Sequence, residues 1–163
     1  MNNSNANELI ESCEDDLIRI EKLIEVLTST NPAVPYLTKY AIIKTCGTIE
    51  QCFKIIISEV TCINQNKQVV KYISKNFKNS SINPNLNNIH NSLEAFDEDW
   101  NEKFKLNLNN HSEMKRLKSS LQSLNSARNQ FAHGGNPNLT FNDVKLYFED
   151  AKIIIGFIDD SVQ

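Results

Sequence analysis

The sequence predicts an all-α protein, a helical bundle of four to five principal helices. Three observations predict it. Apolar residues recur at three- and four-residue steps, as Ile10, Cys13, Leu17, Ile20, Ile24 and Leu27 do. The periodic windows are separated by helix stops: Asn31-Pro32, Asn64 to Asn66, the Ser/Asn/Pro-rich stretch 79–91, and Gly134-Gly135 followed by Pro137. The chain has 163 residues, 40% hydrophobic and 23% charged, which suits one globular domain with a sizeable core. Residues 1–163 therefore read as a single domain, with the polar start, 1–7, expected to be disordered.

Taken in order, residues 8 to about 29 form the first helix, whose outer face carries Glu8, Glu11, Glu14, Asp15, Asp16, Glu21 and Glu25. That face reads as solvated, or as a docking surface for a basic partner. Pro35 suits the first turn of a second helix over 34–63, apolar around most of its circumference and so expected to be central. Glu50 interrupts it, and a buried carboxylate needs a partner. Residues 67–77 follow, with Lys67, Lys71, Lys75 and Lys78 as a basic stripe. A solvated face is the ordinary reading, and an RNA-backbone track the sharper one. The stretch 79–91 reads as a loop with a short helix near 86–91, its asparagines as loop chemistry. Ser92 to Phe104 gives a shorter helix, and 107–111 a connection. Ser112 is expected to cap a helix running to His133, and Thr140 or Asn142 to start the last one.

Composition excludes several classes. A net charge of −3 argues against a general nucleic-acid coat, though not against a local phosphate site. Cys13, Cys46, Cys52 and Cys62 contain no C-x2-C pair, so buried free thiols in a reducing cytoplasm are expected rather than zinc ligands. No signal peptide is visible, and no apolar run reaches the roughly 18 residues of a membrane span. No membrane association and a cytoplasmic location are the expectations. There is no Gly-rich phosphate loop, HExxH or GxSxG, and no cofactor is expected.

The informative stretch is Ser126-Ala127-Arg128-Asn129-Gln130-Phe131-Ala132-His133-Gly134-Gly135. Leu117, Leu121, Leu124 and Phe131 form an apolar seam, and Arg128 falls in its gap. A guanidinium there needs a carboxylate, a carbonyl or a phosphate, because it stays charged. Glu50 is one candidate partner; the alternative places Glu50 on the solvent side. His133 stands in the last turn, where the helix dipole favours a cation. Asn129 shares its face, whereas Arg128 is rotated by about 140° from it on an ideal helix. A loosened last turn or a second copy of the chain would bring both to one atom. Lys115, Arg116 and Lys118 join Arg128 against Glu113 alone, so this helix is positive in an acidic chain and is expected to supply phosphate-binding potential beside His133.

At Arg128-Asn129-Gln130-Phe131-Ala132-His133 the chain resembles the HEPN superfamily, whose ribonuclease members carry Arg-x4-6-His at the end of a helix. RNQFAHG, together with Cys46-Gly47-Thr48-Ile49-Glu50, is most similar to the RiboL-PSP type, and the resemblance spans roughly residues 34 to 160. A Tyr two residues after the His, found in toxins paired with nucleotidyltransferase antitoxins, is replaced here by Gly135. The resemblance implies a metal-independent endoribonuclease working as a homodimer, in a bacterial defence or toxin system with an antitoxin or other defence protein as partner. Arg128, Asn129 and His133 would be catalytic, Glu50 supporting, and Lys115, Arg116 and Lys118 RNA-binding. The chemistry is consistent: RNA supplies its own 2′-hydroxyl nucleophile, His133 would move a proton, and Arg128 would hold the phosphate. The alternatives are a non-catalytic HEPN domain that binds RNA or protein, and a helical dimerisation module.

Overall fold

The computed structural model describes residues 1–28 and 30–163. Among them there are helices and no strands: α1 Ser4–Leu27, α2 Val34–Cys62, α3 Lys67–Ile73 continued by a π-helical turn Ser74–Lys78, α4 Leu86–Phe96, α5 Glu98–Asn110, α6 Met114–Ala132 and α7 Phe141–Ser161. The all-α expectation holds, with seven α-helices among the described residues instead of four to five.

Helix α2 is central, as its apolar circumference required. It packs against α1, α7, α6, α4, α3 and the π turn. Its Phe53, Ile56 and Ile57 are fully buried, each stabilising the fold by about 1.5–3 kcal/mol. The inward residues of α1 are Ala6, Ile10, Cys13, Leu17 and Ile20, and those of α7 include Val144, Phe148, Ala151, Ile155 and Ile158. Thr140 starts α7 through a capping box with Asp143.

Several expectations are corrected. Of residues 1–7, expected to be disordered, Ser4 to Asn7 are helical, Asn3 caps α1 through Ala6 N, and the backbone amides of Asn2 and Asn3 donate to Asp159. Helix α1 ends at Leu27; Ser29, where its end was expected, lies outside the described residues. The single helix over 92–104 is two. Asp97 is extended (φ −162°, ψ 122°), and its carboxylate caps α5 by accepting from Asp99 N and Trp100 N. Helix α5 then fills the connection expected at 107–111. Ser112 does not cap α6, which starts after Glu113 without a side-chain cap. The acidic face of α1 is partly spent on intrachain pairs, Asp16 with Lys44 at 2.7 Å, Glu14 with Lys152, and Glu21 with Lys145.

The end of α6 closes as the Gly-Gly pair predicted. His133 is the C-cap (φ −94°, ψ 18°) and Gly134 takes the left-handed conformation at φ 79°. Gly134 N donates to Phe131 O at 3.0 Å and Gly135 N to Gln130 O at 2.8 Å, satisfying two terminal carbonyls. A Cβ on Gly135 would stand 2.9 Å from that same Gln130 oxygen, so the turn is too close for any side chain there.

Candidate active site

The Arg128 guanidinium is half-buried at the end of α6 and donates to Asn129 Oδ1 at 3.2 Å. The ion pairs found among the described residues use other cations, so no carboxylate neutralises Arg128. Asn129 Oδ1 also accepts from Asn83 Nδ2 at 3.1 Å. Both partners present only donors there, so the amide oxygen faces them and Asn129 Nδ2 is left to donate outward. His133 is exposed, and its backbone has already left the helix. The helical 100° step therefore no longer governs its direction relative to Arg128.

Glu50 does not pair with Arg128. Its Oε1 accepts from Lys54 Nζ at 2.9 Å and from Ile82 N at 3.0 Å. Lys54, only 5% exposed, also donates to Ser80 O. The reason is local: Glu50 and Lys54 are four apart on α2, in the favourable order for a helical ion pair. That signal was readable in the sequence. The pair pins the loop 79–85, and the loop in turn presents Asn83 to Asn129. Asn85 caps α4 through Asn88 N, Asn88 Nδ2 donates to Asn83 O at 2.8 Å, and Asn125 Nδ2 donates to Pro84 O at 3.1 Å. Asparagines of the 79–91 stretch, read as loop chemistry, thus hold this loop together and, with Asn125 and Asn129, fasten it to α6.

Lys39 is a second residue missed. Its Nζ donates to Asn136 Oδ1 at 2.7 Å and lies 5.6 Å from the Phe131 ring centre and 5.4 Å from that of Tyr36. A cation from α2 thereby flanks the turn that carries His133. No sequence signal joins residues 39 and 136.

Lys115, Arg116 and Lys118 are not brought to the motif. They occupy the first turns of α6, and at 1.5 Å per residue Lys118 is about 22 Å along the helix from His133. Arg116 is held at 3.2 Å by buried Asp150 and at 3.0 Å by Glu113, and Lys118 donates to Asn109. The other histidines are engaged elsewhere. His90 Nδ1 is 2.8 Å from Asn101 Oδ1, and His111 Nδ1 accepts from Glu113 N.

Behind the site, burial pushes the Cys46 thiol up to about 12, opposed by the field of Arg128. Cys52 is likewise pushed up to about 12 by burial. Among the described residues no three His, Cys, Asp or Glu side chains are grouped as metal ligands, and no helix is long and apolar enough to cross a membrane.

The sequence model of the RiboL-PSP-HEPN family matches residues 3–163. This chain belongs to the RiboL-PSP-HEPN family. The match includes α1, which the resemblance at the motif did not reach. Neither a curated protein nor a solved structure matches the chain. HEPN domains are often ribonucleases, and they often dimerise and bind RNA.

Proposed function

We propose that this HEPN domain is a metal-independent endoribonuclease that cleaves RNA at a composite site in a homodimer, with Arg128, Asn129 and His133 as its catalytic residues. The observation that carries the reading is the state of Arg128, a half-buried guanidinium held in place by an amide and left without a carboxylate, at the helix end that exposes His133. Such a cation is oriented and keeps its charge for a phosphate.

In the reaction, the 2′-hydroxyl attacks the adjacent phosphorus and gives its proton to an imidazole. The bond to the 5′-oxygen breaks, and that oxygen takes a proton from an acid. Arg128 and the outward amide of Asn129 stabilise the charge on the non-bridging oxygens. Asn83 acts as a positioning residue by fixing Asn129. One chain offers a single motif histidine, because His90 and His111 are bound to other groups. Two copies supply base and acid. The surface beside the motif suits a second copy: Tyr36, Tyr40 and Ile43 are exposed on one face of α2, and Lys39 lies over both the Tyr36 ring and that of exposed Phe131. A cytoplasmic defence or toxin setting, with an antitoxin or other regulatory partner, belongs to the same proposal. Lys115, Arg116 and Lys118, far from the motif along α6, would touch RNA only at a distance from the cut.

The test is cleavage of a mixed RNA pool in EDTA by wild type, His133→Ala and Arg128→Ala, with particle mass and circular dichroism recorded for each. Wild type cuts, and both variants stay folded and equally oligomeric while losing activity. RNA binding without cleavage in the wild type would instead establish a non-catalytic domain.

A further inference from the structure

We propose that the lysine-lined groove over α3 and the π turn binds the phosphate backbone of single-stranded RNA on its way to the Arg128–His133 site. This rests on the RNA reading above. The groove has a volume of about 580 Å³ and is lined by Lys67, Lys71 and Lys75 with the neutral hydrogen-bonding groups of Gln65, Ser74 and Asn79. No carboxylate lines it. None of these three lysines is among the ion-paired cations, whereas Lys78, the fourth of the stripe, is turned to Glu59 at 3.6 Å. In an acidic chain this is a local concentration of unneutralised positive charge, which draws a polyanion.

Geometry favours a nucleic acid over an acidic protein. The lysines stand at i, i+4 and i+8 along α3 and the π turn that continues it, with a rise of about 6 Å for the α-helical step from Lys67 to Lys71, suited to successive phosphates of an extended strand. Tyr72, next to Lys71 in the chain but outside the groove's lining, is 70% exposed, a ring open for a base to stack on. The platform is rigid, because Phe77 of the π turn packs edge-on against core Phe53 and against Phe96, with ring centres 6.3 and 4.8 Å apart. The groove also lies a short length of chain from the site. Asn79 lines it, and Asn83, which holds Asn129, is four residues on, at most about 14 Å of chain. Between them, Ser80 O accepts from Lys54 and Ile82 N donates to Glu50.

The experiment measures binding of a labelled single-stranded oligouridine across a salt series, in the His133→Ala background so that the probe stays intact. The test variant adds Lys67→Gln, Lys71→Gln and Lys75→Gln, and a control replaces the same lysines by Arg. Loss of three phosphate contacts should flatten the slope of log affinity against log salt by about 2 and weaken binding at least about tenfold near 0.1 M salt. The Arg control should keep both. An unchanged slope, or no binding by the parent protein, overturns the proposal. So does a polyglutamate that competes as well as oligouridine, since it would mark an acidic protein as the occupant. Failure of the ribonuclease reading looks different: the slope would change as expected while wild-type protein leaves RNA uncut.

Discussion

Replacing Lys54 by Met should be among the most destabilising single changes in the chain. The Lys54 ammonium is buried and makes two charge-assisted hydrogen bonds, to Glu50 Oε1 and to Ser80 O. Methionine fills the stem volume but leaves the Glu50 carboxylate, whose side chain is 15% exposed, without its cation. Breaking one half of a buried pair costs about 3–5 kcal/mol. Two charged hydrogen bonds at roughly 1.5–3 kcal/mol each point to the same range. The lower bound, about 3 kcal/mol, corresponds to a fall in melting temperature of roughly 6–12 °C for a domain of this size. Adding Glu50→Gln to Lys54→Met removes the stranded charge and keeps an acceptor for Ile82 N. The double variant should therefore be more stable than Lys54→Met alone. Urea unfolding followed by circular dichroism measures both differences. A loss below about 1 kcal/mol, or a double variant no more stable than the single one, would refute the assignment of this pair as the anchor of the 79–85 loop.

Two further outcomes follow from shifted titrations. Hydrogen bonds from the Thr140 side chain, and then from its backbone, hold the Asp143 carboxyl below its ordinary value. A carboxylate depressed in the folded state contributes stability that is present above the unfolded pKa and lost as pH falls through the folded one. The gap in melting temperature between wild type and Asp143→Ala should thus be present at neutral pH and close on acidification; a gap unchanged at low pH would contradict the capping box. Among the thiols, burial raises Cys46 and Cys52 to about 12 and also raises Cys13, whereas Cys62 is half-exposed. Native-state alkylation at mildly alkaline pH, read by mass spectrometry, should label Cys62 first, and equal labelling of Cys46 would show that its helix opens readily.

The bounds of α2 were legible because Pro35 and a continuous apolar surface act locally, and the start of α7 was narrowed to Thr140 or Asn142, between which the capping box of Thr140 with Asp143 decides. The end of α6 was legible for the same reason, since Gly134 must carry a positive φ. The split at Asp97 was not, because an acidic tripeptide suits an exposed helix surface as well as a cap. The partner of Glu50 was left open between Arg128 and solvent, although Lys54 stands one turn away on the same helix.

By itself, then, the sequence determined the all-α class, the order of the long helices, and an Arg–His pair at a helix end closed by glycine. These depend on periodicity and capping, which act over three to five residues. Only the tertiary structure decided that Asn83 meets Asn129, that Lys39 meets Asn136, and that Lys115, Arg116 and Lys118 stand far from His133. The first two join groups 46 and 97 residues apart. Nothing local encodes such meetings; they exist because α2, α6 and the 79–85 loop are packed around one core, and packing sets which polar groups come within hydrogen-bond reach.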